Sequence, residues 1–140
     1  MWMLKSGVRS REAWTIALTS PDANGVPRRW SRFTQSEVVD GSSCRAIDAN
    51  LEKLRLHATV LCQDAIRALS AERRTYDLVL CDPPYDYDRA RLAPHLAKLL
   101  TADGLLVWET SSREEPPEVP GLSERTSRTY GSARLTLFET

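Results

Sequence analysis

The stretch Tyr76–Ala90, YDLVLCDPPYDYDRA, decides the fold class. Its first part, YDLVLC, is a largely apolar run bounded by charge, which is typical of a strand buried on both faces of a parallel sheet. Asp82 follows the run, and Pro83 and Pro84 then fix the backbone and offer no N–H. The stretch therefore predicts a buried strand that stops at Asp82 and passes into a loop.

The sequence on either side of this stretch alternates between helical and strand patterns. CRAIDANLEKLRL has helical spacing, HATVLC is a short strand, and DAIRALSAERR is a helix that Asp64 caps. In DRARLAPHLAKLL we expect a loop up to Ala93, with Pro94 in the first turn of the helix and Gly104 as its stop. This order predicts an α/β domain with an open, mostly parallel sheet.

The end of the chain predicts two further features. SSREEPPEVPG is a polar, proline-rich loop that we expect at the surface, after the strand GLLVWET. RTSRTYGSARLTLFE is expected to form two strands that turn at Gly131 and Ser132, which adds an antiparallel hairpin.

Residues 1–42 form an atypical N-terminal segment, distinct from the domain part at 43–140. AWTIALT alternates like a strand, but no GxGxxG pattern follows it. RRWSRFTQ interleaves basic and aromatic side chains, namely Arg28, Arg29, Arg32, Trp30 and Phe33. They could contact RNA, although a solvated, irregular segment is the favoured interpretation.

Composition limits the class of protein. The 140 residues suggest one domain, and 19 basic against 19 acidic residues give no bulk charge for nucleic acid. No apolar run approaches the ~20 residues of a membrane span, and the N-terminus lacks the apolar core of a secretory signal, so we expect a cytoplasmic protein. The three cysteines have no CxxC spacing, which predicts buried thiols, no disulfide and no metal site.

The residues Asp82-Pro83-Pro84-Tyr85 suit recognition of an amino group. Ligands of open α/β sheets bind at the carboxyl ends of strands. A carboxylate and a proline carbonyl in a rigid frame offer two acceptors to an exocyclic NH2 group, and a tyrosine offers a face on which a base can stack. Such an arrangement can aim the amine lone pair at an activated methyl group, for which S-adenosylmethionine is the plausible donor, and no metal is needed.

With these residues identified, the chain resembles the RsmD-type bacterial small-subunit rRNA guanine-N2 methyltransferases over residues 43–140. The matching segments are CRAIDANLEKLRL, CQDAIRAL, DLVLCDPPYDYD and RTYGSARLTLFE. The resemblance implies a doubly wound, Rossmann-like methyltransferase sheet that uses S-adenosyl-L-methionine and acts, as a monomer, on 16S rRNA or a small-subunit precursor. It also implies that Asp82, Pro83, Pro84 and Tyr85 hold the guanine, as catalytic residues.

The resemblance further implies where the cofactor binds. Asp64, with Cys62 and Gln63 before it, would lie at the adenine, and Glu37 or Asp40 would bind the ribose. The family's glycine-rich cofactor loop, expected before residue 37, is absent, so the sheet is predicted to be incomplete at its N-terminus. A frameshift, a misassigned start or a truncation would explain this, and residues 1–42 would then lie outside the family's reading frame.

Two other functions stay open. The first is an amino-methyltransferase acting on adenine N6 or cytosine N4 in DNA, since the same quartet serves that chemistry. The second is a non-catalytic remnant of the rRNA methyltransferase family that folds or binds RNA weakly without the cofactor.

Overall fold

The computed structural model describes residues 13–21, 27–36, 42–55, 58–62, 64–85 and 87–140. The α/β fold predicted from the sequence is confirmed. The elements in chain order are β1 (Ala13–Pro21), β2 (Pro27–Ser36), α1 (Ser42–Lys53), β3 (Ala58–Cys62), α2 (Ala65–Ala71), β4 (Tyr76–Asp82), α3 (Arg89–Leu96), β5 (Leu100–Ser111), β6 (Ser123–Tyr130) and β7 (Ala133–Glu139), with a short 3₁₀ turn at Ala97–Leu99 after α3.

The described strands form one seven-stranded sheet in the order β3-β2-β1-β4-β5-β7-β6. The pairs β2–β3 and β4–β5 are parallel, and the other four neighbouring pairs are antiparallel. Followed across the sheet, β2, β3, β4, β5 and β6 point one way and β1 and β7 point the other. The sheet is therefore mixed, with more antiparallel pairs among the described strands than the sequence predicted, and the predicted C-terminal hairpin is confirmed as β6 and β7.

The direction of β1 is the main departure from the expected fold. AWTIALT does occupy the centre of the sheet, but β1 runs antiparallel to both β2 and β4. Thr15 pairs with Asp82 and Thr19 with Leu78, so β1 begins at the edge where β4 ends. We call the edge where β2, β3, β4 and β5 end the carboxyl edge. Pro21 and Pro27, on either side of residues 22–26, pair with each other at the opposite edge. The resemblance requires a glycine-containing turn after β1 that approaches a ligand near Asp82. This sheet instead ends β1 at the opposite edge, away from Asp82.

One face of the sheet is packed under α2 and α3. Val79, Cys81, Leu106, Trp108 and Phe138 are buried on it, at register positions that lie side by side on β4, β5 and β7. Their burial against the apolar faces of the two helices supplies most of the described hydrophobic core, and it fixes β4, which carries Asp82.

The cysteines do not all behave as predicted. Cys81 is a free, buried thiol, as the sequence indicated. Cys44 in α1 is disulfide-bonded, so the expectation of no disulfide is wrong for this residue. Nothing in the spacing of the cysteines signalled this pairing, because their proximity depends on how the chain folds.

Two expectations about α3 are corrected. The helix begins at Arg89, after the N-cap Asp88, and Pro94 lies inside it instead of in its first turn. The loss of one backbone hydrogen bond is tolerated because Leu92, Ala93 and Leu96 are buried in the core. Gly104 lies within β5 and does not end the helix.

Gly104 has a different role in the structure. The register of β4 against β5 shifts between Tyr76 and Leu78, where Leu100 and Leu105 are their partners. A Cβ on Gly104 would lie 3.0 Å from backbone atoms of Thr101 and Tyr76. Glycine is therefore required by the close approach of two backbones at this irregularity.

The proline-rich loop is only partly at the surface. Arg113, Glu115, Glu118 and Pro120 are exposed, as predicted, but Val119 is 4% exposed and joins the core cluster. The loop packs beside the start of α3.

Candidate active site

The quartet Asp82–Tyr85 lies at the carboxyl edge, as the sequence indicated. Asp82 is the last residue of β4 and is exposed, whereas Pro83 is buried and anchors the turn that follows. Pro84 is half-buried, and the ring of Tyr85 is 40% exposed. A carboxylate and an aromatic face are thus presented to solvent from an anchored backbone.

The loop after the quartet is held by its own hydrogen bonds. The Tyr87 N–H donates to the Pro84 carbonyl at 3.0 Å, and the Ala90 N–H donates to the Asp88 carboxylate at 3.1 Å. The Pro84 carbonyl is therefore engaged, and the Pro83 carbonyl is the better candidate for the second acceptor. Because both prolines restrict φ, the frame is rigid before any ligand arrives.

Glu109 fixes Tyr85 and is the residue that sequence reasoning missed. The Tyr85 hydroxyl donates to Glu109 Oε1 at 3.1 Å, and Glu109 is only 8% exposed. Cys81 pairs with Trp108, so the next positions, Asp82 and Glu109, lie side by side on neighbouring parallel strands. Glu109 lies in the predicted strand GLLVWET, and its place near the carboxyl end of β5 was the signal that it could reach the site.

The charges of this cluster act on Tyr85. The pKa of Tyr85 is raised to about 12. Burial is the largest cause, followed by the negative charge of Glu109, its hydrogen bond with Tyr85, and the charge of Asp82. The phenol therefore stays protonated near neutral pH and keeps donating to Glu109. Burial, followed by the charge of Asp82, also raises the pKa of the Cys81 thiol, which keeps it neutral behind the site.

Of the residues assigned to the cofactor, Asp64 is the one whose side chain the structure describes. It caps α2, because the Arg67 N–H donates to Asp64 Oδ1 at 2.8 Å. β3 and β4 are separated by β2 and β1, so Asp64 lies roughly 14 Å along the carboxyl edge from Asp82, from a strand spacing of about 4.8 Å. The Cys62 backbone ends β3 opposite Thr34. Its side chain, and all of Gln63, Glu37 and Asp40, lie outside the described residues.

The described residues contain neither a metal-binding cluster nor a membrane-spanning helix. No group of three or more His, Cys, Asp or Glu side chains in this part of the chain is arranged to hold a metal ion. None of the helices described is long and apolar enough to cross a membrane.

Comparison with solved structures places this sheet among known folds. A conserved hypothetical protein from Streptococcus pyogenes is 28% identical with a TM-score of 0.61, over 69% of this chain and 65% of that one. Escherichia coli yhhF is 21% identical with a TM-score of 0.59, over 67% of this chain and 55% of that one. HI0767 from Haemophilus influenzae is 20% identical with a TM-score of 0.58, over 71% of this chain and 67% of that one. The matched part of this chain therefore spans between about half and two thirds of these proteins.

The family comparison gives the same result at the level of sequence. No curated protein matches the chain. The family model described as conserved hypothetical protein 95 matches residues 25–139, so its match begins inside the segment that the motif resemblance left unmatched. Because this match covers most of the chain, the chain belongs to the conserved hypothetical protein 95 family, which is the RsmD-type family that its motifs resemble.

Proposed function

We propose that the carboxyl edge of this sheet serves methyl transfer from S-adenosylmethionine to the exocyclic N2 amine of a guanine in small-subunit rRNA. The observation that carries the proposal is the rigid Asp82–Tyr85 frame, whose tyrosine is fixed by Glu109 at 3.1 Å. Membership of the family supports it. So do the names of yhhF and HI0767, which assign those two proteins provisionally to the methyltransferases.

The acceptor half of the reaction follows from the chemistry of the frame. The Asp82 carboxylate and the Pro83 carbonyl each accept one N–H of the amine, and the exposed ring of Tyr85 stacks on the base. Holding both hydrogens favours the pyramidal amine and aims its lone pair, which is otherwise conjugated with the ring. The contribution is positioning and electrostatic preorganisation. A paired base cannot reach such a frame, so the target guanine must be unstacked or single-stranded.

The described residues do not form the S-adenosylmethionine site that the family resemblance implies. S-adenosylmethionine supplies an electrophilic methyl group when bound. The turn after the first strand of such a sheet normally approaches the cofactor through its backbone. Here β1 begins at the carboxyl edge instead of ending there, and β1 and β2 are joined as a hairpin at the opposite edge. Asp64 already uses one carboxylate oxygen to cap α2. The described residues therefore do not provide this kind of contact to the cofactor.

The reversed β1 favours a second candidate function. In this alternative the chain is a remnant that holds a base at Asp82–Tyr85 and binds RNA without methyl transfer. Its partner would be the same 16S rRNA or small-subunit precursor, and a monomeric, cytoplasmic protein remains the expectation in both cases.

Calorimetry with S-adenosylmethionine distinguishes the two candidates. The wild-type chain and Asp82→Ala are titrated after circular dichroism has established that both are folded. Saturable binding of equal affinity to both supports methyl transfer, because Asp82 is assigned to the base and not to the donor. No binding by the folded wild-type chain would exclude the transferase and leave the remnant.

A further inference from the structure

The tip of the β6–β7 hairpin carries an exposed aromatic ring at the same sheet edge as the active-site frame. Tyr130 is 58% exposed. In the part of the chain that the structure describes, the large hydrophobic side chains left exposed are Leu54, Tyr85 and Tyr130. Ser111 at the end of β5 pairs with Ala133, and Ala133 pairs with Tyr130. Two of the three exposed side chains therefore lie at the carboxyl edge.

Arg128 lies on the same sheet face as Glu109. Glu109 pairs with Leu135 and Leu135 with Arg128, so the three form one row across β5, β7 and β6. Two strand spacings separate the ends of this row, about 10 Å. Tyr130 is two residues beyond Arg128 on the same strand and therefore shares its face. An arginine and an exposed ring thus lie on the same sheet face as the residue that fixes Tyr85, with β7 between them.

The hairpin tip itself, as distinct from Glu109 at the other end of the row, has a charge that suits a polyanion. Residues 126–136 contain Arg128 and Arg134 and no acidic residue. The acidic residue nearest along β7, Glu139, lies at the far end of the hairpin, where it pairs with Arg125 at 3.5 Å. Arg128 is exposed, so its guanidinium is accessible to a phosphate.

The tip is anchored to the rest of the edge. The Ser112 N–H donates to the Ser132 carbonyl at 2.9 Å, and the Arg134 guanidinium donates to the Ser112 carbonyl at 3.5 Å. Gly131 has φ +61 and makes the two-residue turn possible. These bonds hold Tyr130 at a fixed distance from the frame instead of on a loose loop.

We propose that Tyr130 and Arg128 bind the nucleotide next to the target base in a single-stranded RNA segment. The Tyr130 ring stacks on the neighbouring base, and the Arg128 guanidinium contacts a phosphate between it and the target. The assignment rests on the proposed function, because it takes the target base to lie against Tyr85. It adds a second binding position to the substrate and selects single-stranded RNA over a duplex, whose bases cannot stack on the ring.

The test is binding of a short fluorescent single-stranded RNA, measured by anisotropy without cofactor at salt concentrations from about 50 to 200 mM. Tyr130→Ala, Tyr130→Phe and Arg128→Ala are compared with the wild-type chain. Arg125→Ala is the matched control, because it removes an exposed arginine at the far end of the same strand. The same RNA annealed to its complement tests strand selectivity.

We expect Tyr130→Ala to weaken binding at least about fivefold, since base stacking on an aromatic ring contributes about 1–3 kcal/mol. Tyr130→Phe keeps the ring and should bind like the wild type. Arg128→Ala should lower the slope of log affinity against log salt by about 0.7, the value for one phosphate on a single strand. Arg125→Ala should leave affinity and slope unchanged.

Unchanged affinity in both Tyr130→Ala and Arg128→Ala would overturn the proposal, as would equal losses for duplex and single strand or no RNA binding by the wild type. Failure of the proposed function gives a different result. If S-adenosylmethionine does not bind but RNA affinity still depends on Tyr130, the proposed methyl transfer is refuted. The proposed nucleotide-binding position at Tyr130 and Arg128 is then retained.

Discussion

Removing the Tyr85 hydroxyl tests whether Glu109 fixes the active-site frame. Tyr85→Phe keeps the ring but deletes the donor of the 3.1 Å bond to Glu109. The Glu109 side chain then loses a partner in a position that is only 8% exposed. We expect the free energy of unfolding to fall, because a buried carboxylate that lacks a hydrogen-bond partner destabilises the folded state.

The size of the effect follows from the exposure of the two partners. Hydrogen bonds to charged groups contribute about 1.5–3 kcal/mol. Because Tyr85 is 40% exposed and water competes for its hydroxyl, we expect the lower end of this range. A loss of about 1.5 kcal/mol corresponds to a fall in Tm of roughly 6 °C for a domain of this size.

A double-mutant cycle isolates the interaction. Tyr85→Phe, Glu109→Leu and the double variant are unfolded in urea, with Tyr130→Phe as a control that removes an exposed hydroxyl and should change stability by less than about 0.5 kcal/mol. We expect the double variant to be about 1 kcal/mol more stable than the sum of the single changes predicts. Strict additivity would refute the idea that Glu109 holds Tyr85.

The pKa of Tyr85 gives a second measurement of the same pair. The folded pKa is raised to about 12, so its contribution to stability is full below pH 10 and is lost as the pH rises toward 12. Glu109→Leu removes the negative charge but leaves the burial. The ultraviolet titration of Tyr85, obtained by difference from Tyr85→Phe, should therefore shift to a lower pKa in this variant. An unchanged pKa would mean that Glu109 does not act on the phenol.

Three further predictions concern the scaffold. Glu72 accepts hydrogen bonds from Arg74, which hold its pKa at about 2, so the stability advantage of the wild type over Glu72→Gln should be full above pH 4.5 and vanish as the pH falls toward 2; urea unfolding at several pH values measures it, and a constant difference would contradict it. Asp64→Ala should lower the free energy of unfolding by about 1 kcal/mol, because it removes the α2 cap. Asp64→Asn should retain most of the stability that the cap contributes, and thermal unfolding measures both variants. Gly104→Ala should lower the free energy of unfolding by about 1–3 kcal/mol, because the added Cβ would lie 3.0 Å from the Tyr76 carbonyl oxygen. An alanine variant with the Tm of the wild type would contradict this reasoning.

The parts of the fold that local pattern determines were predictable from sequence. YDLVLC is a strand whose Val79 and Cys81 are buried in the core, and Asp64 caps a helix because its carboxylate reaches the N–H of Arg67. The position of Asp82 at a strand end followed from the same reasoning. These features depend on residues close together in the chain.

The direction of β1 was not predictable from its alternating pattern, because alternation reads the same in both directions. The signal lay in the length of the connection. Residues 22–26 are too few for the dozen or more residues of a parallel crossover, so β1 and β2 had to form a hairpin. Glu109 and Gly104 were missed for a different reason. Their roles come from contacts with residues distant in sequence, Tyr85 in the loop after β4 and Tyr76 on β4.

The most direct test of the central claim is transfer of a labelled methyl group from S-adenosylmethionine to small-subunit rRNA, followed by nucleoside analysis. We predict label on the N2 amine of one guanine with the wild-type chain and none with Asp82→Ala, although both variants bind the cofactor equally. No transfer by a folded wild-type chain, or equal transfer by Asp82→Ala, would contradict the assignment of Asp82–Tyr85 as the site that holds the target amine.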